Sequence, residues 1–346
     1  MKSLVLESKA RINLRELKFE ESLGPRDVAI SIDTVGICGS DIHYYRHGRI
    51  GPFVVRKPIV LGHEASGIVS EVGSEVTNLV VGDRVTMEPG IPDYTSKATR
   101  IGKYNLDPSV RFWATPPNHG VLRPSVIHPA DFTYRIPDSL GFDEAAMVEP
   151  LAVGMHAVNK ANIKAGDTAL VIGAGPIGML TAISAVAAGC TKVIISDPVH
   201  AKLKLANLYD SITGIPADKD IIKETISEIT DGWGVDKVFE CSGSQVVCSI
   251  AVSAVCPGGC IVFVGMPGES IQLDLVAAQA KEVQFETVFR YAHIYPHALN
   301  LLENKRINIK PLITDTFPFE KSVEAFKFAD SMPETSVKVQ VKINSN

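Results

Sequence analysis

Hydrophobic and polar positions follow two different rhythms along this chain of 346 residues. Up to about residue 140, short runs alternate apolar and polar residues, as in Asp27–Asp33 and Gly67–Gly73, and glycine, proline and aspartate turns separate them. This pattern predicts the short strands of a small, barrel-like β domain. From about residue 141, apolar runs alternate with longer helical segments. The second rhythm predicts βαβ units and a doubly wound parallel sheet.

The apolar runs of the second half predict parallel strands at 168–172, 192–196, 212–215, 235–240, 260–264 and 283–288. A helix over Leu151–Asn159 is expected to lead into them. The last run, Val337–Ile343, alternates regularly, which predicts a strand with one buried face. We expect this strand to rejoin the N-terminal domain, so that the parallel sheet is an insertion. The domains predicted are residues 1–150 with 290–346, and residues 151–289.

A glycine-rich segment follows the first predicted parallel strand. It carries the G-x-G-x-x-G pattern of Gly173, Gly175 and Gly178, and Asp197 ends the next apolar run 19 residues later. Such glycines permit a tight turn, the approach of backbone amides to a pyrophosphate, and close packing of a helix. The acid accepts hydrogen bonds from the ribose hydroxyls of NAD and would repel the 2′-phosphate of NADP. An ordinary glycine turn is the alternative, but the strands and the acid favour NAD binding.

Potential metal ligands lie in two short segments of the N-terminal half. Cys38, His63 and Glu64 offer a thiolate, an imidazole and a carboxylate, a set that suits Zn²⁺. Neighbouring residues of a straight strand point to opposite faces, so the backbone must bend for His63 and Glu64 to reach one ion, and Gly62 permits this. Glu149 is a candidate fourth ligand. Each residue alone could instead be a buried thiol, a core histidine or a surface carboxylate.

Composition and charge exclude other classes of protein. The net charge is −5, hydrophobic residues make up 45% of the chain, and no basic run suggests a nucleic-acid or membrane-surface partner. The N-terminal residues predict a strand and not a signal peptide, so we expect a cytoplasmic protein. The six cysteines include no C-x-x-C pair and are expected to be mainly buried small hydrophobic residues.

Several segments together resemble the zinc-dependent medium-chain dehydrogenases. They are G-x-C-G-S-D-x-H-Y at 36–44, G-H-E-A-S-G at 62–67, Val148–Gly154 and Ile172–Met179. Further segments are similar to the polyol branch of that family, namely Met87–Gly90, Gly102–Asn105, Ala114–Pro117 and Val288–Tyr291. The resemblance extends over essentially the whole chain. It implies an α/β fold in which a Rossmann doubly wound parallel-sheet domain is inserted into a β-rich, GroES-like catalytic domain.

The resemblance also implies roles for individual residues. Cys38, His63 and Glu64 would bind one catalytic zinc per subunit, with Glu149 beside it directly or through water. Four residues would bind the substrate: Tyr44, Glu149, Arg290 and Tyr291. The residues that would contact NAD are Gly173, Gly175, Pro176, Ile177, Gly178, Asp197, Lys202, Val264, Gly265, Met266, Val288, Phe289 and Arg290.

Other roles follow from side-chain chemistry. Ser40 and His43 are candidate members of a catalytic proton relay, because a hydroxyl and an imidazole can both donate and accept protons. Ser40 could instead, or in addition, cap a helix. The guanidinium of Arg290 could hold two hydroxyls of a polyol, and a surface salt bridge is its alternative. Residues 88–125 contain no cysteine, so we expect no structural zinc and a lobe held by packing, with Phe112 and Trp113 as candidates.

The leading functional hypothesis is oxidation of a polyol to a ketose with hydride transfer to NAD, most specifically of xylitol to D-xylulose. Sorbitol, L-iditol and L-arabinitol are alternative substrates within the same branch. Two alternatives belong to other classes of protein: a zinc-free quinone reductase-like enzyme and a non-catalytic dinucleotide-binding protein. A homo-dimer or homo-tetramer is expected.

Overall fold

The structure of this chain is a computed structural model, and it describes residues 1–244, 247–268 and 270–344. The side chains of residues 247 and 248 lie outside the described part, and Cys248 with them. The chain divides into two compact units, Met1–Glu149 with Tyr295–Asn346, and Pro150–Ile294. This division assigns no function to either unit, and the domains predicted from sequence stay a prediction.

Among the described residues, short strands are more numerous than helices. The strands are β1 (Lys2–Ser8), β2 (Arg11–Glu16), β3 (Asp27–Gly36), β4 (Arg49–Ile50), β5 (Phe53–Val54), β6 (Ile59–Val60), β7 (Glu64–Val72), β8 (Arg84–Met87), β9 (Gly90–Ile91), β10 (Arg111–Phe112), β11 (Ser125–Pro129), β12 (Thr133–Arg135), β13 (Thr168–Ile172), β14 (Lys192–Asp197), β15 (Ile212–Pro216), β16 (Val235–Glu240), β17 (Val255–Phe263), β18 (Gln284–Thr287), β19 (Ile313–Pro318) and β20 (Lys338–Lys342). The helices are α1 (Gly39–His47), α2 (Lys97–Arg100), α3 (Phe142–Ala146), α4 (Val148–Ala161), α5 (Pro176–Ala188), α6 (His200–Ala206), α7 (Lys219–Thr230), α8 (Val247–Ala254), α9 (Leu275–Ala280), α10 (Tyr295–Glu303) and α11 (Ser322–Ser331). No described helix is both long enough and apolar enough to cross a bilayer.

The main sheet of the first unit has the order β12-β8-β7-β3-β20-β19, and β11 also pairs with β3. Burial alternates along the first part of β3, as its sequence predicts, with Val28, Ile30 and Ile32 in the core. Strand β20 is antiparallel to β3, which confirms that the C-terminal strand returns to the N-terminal domain. Gly36 of β3 lies opposite both Gln340 of β20 and Glu64 of β7. This register brings the C-terminal strand close to a predicted metal ligand.

The prediction that the C-terminal strand has one buried face was wrong. Val339 and Val341 are buried as expected, but Lys338 and Gln340, on the other face, are also at most 1% exposed. The polar positions are buried because each finds a partner inside the unit. The Lys338 ammonium contacts the Glu64 carboxylate, and the Gln340 amide donates to the Asp143 carbonyl.

The second unit contains a fully parallel sheet, whose described strands have the order β15-β14-β13-β16-β17-β18. These are the strands that the apolar runs predict. The direction of strand order reverses between β13 and β16, which makes this pair the topological switch point of the sheet. In an open α/β sheet, ligands bind outside the carboxyl ends of the strands at such a point.

Candidate active site

Three potential metal ligands converge in the first unit. The ligand atoms of Cys38, His63 and Glu64 all lie within 4.8 Å of one another. Cys38 precedes helix α1, His63 immediately precedes strand β7, and Glu64 is the first residue of that strand. His63 and Glu64 are buried, and Cys38 is half-buried. The sequence brings together here a soft donor, an imidazole and a hard donor, in a place largely closed to solvent.

The bend required before Glu64 is present at Gly62. Its φ of +87° lies in the left-handed region that L side chains rarely adopt. A Cβ at this position would also lie 2.8 Å from Leu122 and 2.9 Å from Val35. Glycine is therefore required twice over, by backbone conformation and by space. Because the backbone bends here, His63 and Glu64 need not point to opposite faces, as neighbouring residues of a straight strand would.

Asp41 ties the two ligand-bearing segments together. Its carboxylate accepts hydrogen bonds from the backbone amides of Cys38 and Gly62, both at 3.1 Å, and it is fully buried. It also lies 3.6 Å from Nδ1 of His63. The suggestion that Ser40 caps helix α1 was wrong, because the N-cap is Cys38 and Asp41 completes the capping box. Ser40 lies inside the helix.

The electrostatics of the centre favour a positive charge. Burial alone would lower the pKa of His63, but the negative charges of Asp41 and Cys38 raise it well above its ordinary value. The pKa of Lys338 is raised in the same way, since Glu64 and Cys38 outweigh the effect of burial. A buried environment that stabilises cations, lined by a cysteine sulfur, an imidazole and a carboxylate, fits a Zn²⁺ ion.

The other candidate site residues of the first unit are Glu149, His43 and Tyr44. Among the described residues, Glu149 is not one of the ligands within 4.8 Å of each other, although it is only 5% exposed. Its charge nevertheless raises the pKa of Lys338. Tyr44 is buried, whereas His43 is exposed, with its ring centre 5.7 Å from that of His47. Partial burial, then the charges of neighbouring cationic residues, lower the pKa of His43.

The glycine motif of the second unit has the geometry that its pattern predicts. Gly173 has a φ of +99°, and a Cβ on Gly178 would lie 1.7 Å from the Gly173 carbonyl oxygen. Gly175 caps α5, and Pro176 is the first residue of that helix. A Cβ on Gly175 would meet nothing within 4 Å, so this surface is open. The helix N-terminus is thus available to an anion.

Asp197, at the end of β14, is buried and anchors the same turn. One carboxylate oxygen accepts from the Ala174 amide at 2.8 Å, and the other accepts from the Val199 amide at 2.9 Å. Each oxygen retains capacity for a second hydrogen bond. Lys202 lies half-buried on α6. Asp197 therefore has a structural role beside the ribose-binding role predicted for it.

The remaining predicted NAD and substrate residues of the second unit follow β17 and β18. Val264 and Gly265 are half-buried, whereas Met266 is 59% exposed. Arg290 has a φ of +58°, and its guanidinium lies 4.8 Å from the centre of the Phe289 ring. Val288, a predicted NAD contact, is half-buried, whereas Tyr291, a predicted substrate residue, is only 2% exposed.

Comparisons with known proteins agree with this arrangement. Residues 24–138 match the alcohol dehydrogenase GroES-like domain, and residues 176–304 match the zinc-binding dehydrogenase domain. The chain is 53% identical to a D-xylulose reductase of Morganella morganii, over 95% of this chain and 97% of that protein. It is 42% identical to a sorbitol dehydrogenase of Mus musculus, over 99% and 96% of the two chains. The chain belongs to the zinc-binding dehydrogenase family.

Solved structures of zinc-binding dehydrogenases and related oxidoreductases share the fold. An oxidoreductase/dehydrogenase of Escherichia coli is 33% identical to this chain, with a TM-score of 0.94 and 99% of each chain covered. The family membership and the parallel sheet confirm the predicted α/β fold class, a Rossmann-like sheet combined with a GroES-like domain.

In this zinc-binding dehydrogenase, the two aromatic residues expected to pack the lobe at 88–125 are buried. Phe112 and Trp113 are 7% and 8% exposed. The Phe112 ring lies 5.6 Å from the His63 ring, and the Trp113 ring lies 4.3 Å from that of His128. The lobe therefore also supports one of the predicted metal ligands.

Sequence reasoning missed Asp41 and Lys338. The signal for Asp41 is its spacing, because an acid three residues after Cys38 can complete a capping box. Lys338 has no comparable signal. It is one of two lysines in β20, and Lys342 in the same strand is exposed.

Proposed function

We propose that this chain is a zinc- and NAD-dependent polyol dehydrogenase that oxidises xylitol to D-xylulose. The observation that carries the proposal is the convergence of Cys38, His63 and Glu64 within 4.8 Å of one another. It occurs in a chain that is 53% identical to a D-xylulose reductase over nearly its whole length. Fold alone would not decide the reaction, but a ligand set in this context supports it.

The first unit would hold zinc and the second would hold NAD. When bound, zinc supplies Lewis-acid polarisation of a substrate hydroxyl, and NAD supplies a hydride acceptor. Cys38, His63 and Glu64 would hold the ion, and Glu149 would act beside it, directly or through water. Asp41 keeps the ligand-bearing segments in position through the Cys38 and Gly62 amides.

The glycine turn and the residues predicted to contact NAD hold the cofactor. The backbone at Gly173, Gly175 and Gly178 gives the pyrophosphate access to the N-terminus of α5. The Asp197 carboxylate binds the adenosine ribose hydroxyls and disfavours NADP. The remaining predicted NAD contacts would come from Pro176, Ile177, Lys202, Val264, Gly265, Met266, Val288, Phe289 and Arg290.

Proton removal and substrate orientation are assigned to polar residues of the chain. Ser40 and His43 carry the hydroxyl proton outward, and the exposure of His43 supports an exit to solvent. Tyr44, Glu149, Arg290 and Tyr291 are the residues proposed to bind the polyol. The guanidinium of Arg290 can hold two hydroxyls at once.

Alternative substrates remain within the same reaction class. Sorbitol, L-iditol and L-arabinitol differ from xylitol by a carbon or by configuration, and a sorbitol dehydrogenase is 42% identical to this chain. A zinc-free quinone reductase-like activity is disfavoured, because such an enzyme would not need this ligand set.

The deciding experiment is a substrate panel with metal analysis. NADH absorbance is followed with xylitol, sorbitol, L-arabinitol, ribitol and galactitol, before and after treatment with a chelator. We expect xylitol to give the highest kcat/KM, about one zinc per chain, and loss of turnover on chelation. Cys38→Ser should lose zinc and activity together. An active, zinc-free Cys38→Ser variant would contradict the proposal.

We also propose that the protein assembles as a homo-oligomer, a dimer or tetramer. Strand β18 is at one end of the described strand order of the parallel sheet, and Phe285 on it is 36% exposed. An exposed edge strand with an apolar residue is suited to pairing with a second copy. Light scattering after size-exclusion chromatography measures the mass, and a monomer at micromolar concentration would exclude this assembly.

A further inference from the structure

A buried acid lies at the switch point of the parallel sheet. Glu240 is the last residue of β16 and is only 2% exposed. No role follows for it from the glycine motif or from the predicted NAD residues. Its carboxylate does not face a lysine or arginine in any described salt bridge, and its partners are instead backbone and hydroxyl donors of the following loop.

The Glu240 carboxylate fixes the loop at 241–244. One oxygen accepts hydrogen bonds from the Ser242 amide at 2.8 Å, the Gly243 amide at 3.0 Å and the Ser242 hydroxyl. Such bonds to a charged acceptor are stronger than those between neutral groups. The chain therefore turns sharply around this carboxylate as it leaves the sheet.

The backbone carbonyl of Glu240 fixes a second loop. It accepts hydrogen bonds from the amides of Val264 and Gly265, both at 2.8 Å. These residues follow β17, the neighbouring parallel strand. Glu240 thus holds the loops after two adjacent strands. Its side chain holds the loop after β16, and its main-chain carbonyl holds the loop after β17.

These loops pack against each other and against the glycine turn with no room for side chains. A Cβ on Gly265 would lie 2.3 Å from the Gly243 amide nitrogen, and a Cβ on Gly243 would lie 2.9 Å from the Met266 carbonyl oxygen. A Cβ on Gly173 would lie 3.1 Å from the Ser242 amide nitrogen. The backbone around Glu240 is therefore continuous with the turn of the dinucleotide motif.

We propose that Glu240 is a positioning residue for the nicotinamide half of NAD, an inference that rests on the proposed function. A doubly wound sheet consists of two mononucleotide-binding halves, and a dinucleotide lies across the switch point between them. The first half carries Gly173 and Asp197, whose own hydrogen bonds, with the Ser196 carbonyl and the Ala174 amide, fix the glycine turn. The loops that Glu240 fixes belong to the second half, so its loss should loosen the nicotinamide side selectively.

The test compares binding of NADH with binding of 5′-AMP, which occupies only the adenosine side. Holoenzyme variants Glu240→Ala and Glu240→Gln are titrated by NADH fluorescence and by AMP competition. We expect the NADH Kd of Glu240→Ala to rise about tenfold and that of Glu240→Gln about threefold, because the amide keeps one acceptor but loses its charge. The AMP Kd should change by less than about twofold in both variants.

The matched control is Glu224→Gln on α7, whose side chain is exposed, and it should bind both ligands as the wild type does. If Glu240→Ala does not fold, Glu240→Gln decides the question alone. An unchanged NADH Kd, or AMP binding weakened as much as NADH binding, overturns the positioning role. A wild-type protein that binds no NADH overturns the proposed function, and the inference with it.

Discussion

Lys338 donates hydrogen bonds to both carboxylate oxygens of Glu64, at 2.7 and 2.8 Å, with both side chains only 1% exposed. The same ammonium donates to the Ile37 carbonyl. A proposed metal ligand therefore already has a buried cationic partner from the C-terminal strand. When Cys38 is a thiolate, Cys38, Glu64 and Asp41 each carry one negative charge. Lys338 and one divalent ion would balance these three charges.

Lys338→Met should destabilise the zinc-free protein more than the zinc-loaded one. Removing one partner of a buried ion pair leaves an uncompensated charge and costs about 3–5 kcal/mol. A bound cation would compensate part of this loss. Urea unfolding with and without a chelator measures the difference, and Lys342→Met, at an exposed position of the same strand, is the control. An equal loss of stability in both forms would argue against a shared role of Lys338 and the metal at Glu64.

Gly36→Ala should remove zinc with a smaller effect on the rest of the fold. A Cβ on Gly36 would lie 2.0 Å from Oε2 of Glu64, so this carboxylate must move. Metal content by mass spectrometry should fall below about half an ion per chain, since a catalytic site depends on each of its few ligands. Gly39→Ala is the matched control, because a Cβ there meets nothing within 4 Å. A fully zinc-loaded Gly36→Ala protein would remove Glu64 from the ligand set.

The contrast between Gly173 and Lys338 shows which features of the structure can be predicted from the sequence. Gly173 belongs to a pattern that is local, and the turn it needs depends on the next few residues, so strand, turn and helix were all predictable. The convergence of Cys38 with His63 was also foreseeable, because few donor sets suit zinc. Lys338 is 274 residues from Glu64, and alternation in β20 predicts a solvated polar face. Only the pairing of β20 with β3 shows that this face is buried.

Asp41→Asn should weaken zinc binding without abolishing it. The asparagine keeps one acceptor oxygen, but its amide nitrogen faces a backbone N–H of Cys38 or Gly62. Loss of a residue that supports metal ligands reduces metal affinity by about 10- to 100-fold. Competition with a chromophoric chelator measures the zinc affinity. Asp33→Asn, at a half-buried position of β3, is the control. Affinity equal to that of wild type would leave Asp41 with a capping role only.

Asp197→Asn should relax the preference for NAD over NADP. The substitution removes the charge that would repel a 2′-phosphate, and we expect the ratio of kcat/KM for NADP to that for NAD to rise about tenfold. Asparagine can still accept from only one of the Ala174 and Val199 amides, so some loss of stability should accompany the change. Thermal unfolding separates the two effects. An unaltered cofactor ratio in a folded variant would remove Asp197 from the ribose site.

Glu88→Gln should make the first unit less sensitive to alkaline pH. Burial raises the pKa of Glu88 from 4.5 to about 7, against hydrogen bonds from Tyr104 and Tyr134 that lower it. Because the folded pKa is the higher one, the folded state binds more protons between these values. The stabilisation by Glu88 is therefore complete below pH 4.5 and is lost as the pH rises through about 7, up to about 3 kcal/mol in all.

Glutamine cannot ionise. As the pH rises, the unfolding free energy of Glu88→Gln should therefore increase relative to that of the wild type. Urea unfolding at pH 5 and pH 8, with zinc removed from every protein, isolates this effect from metal release. Glu75→Gln, at an exposed position, should keep the wild-type dependence on pH. The hydrogen bond from Tyr134 should persist, since the amide oxygen can still accept it. Parallel pH profiles for wild type and Glu88→Gln would show that Glu88 stays ionised in the folded protein at both pH values.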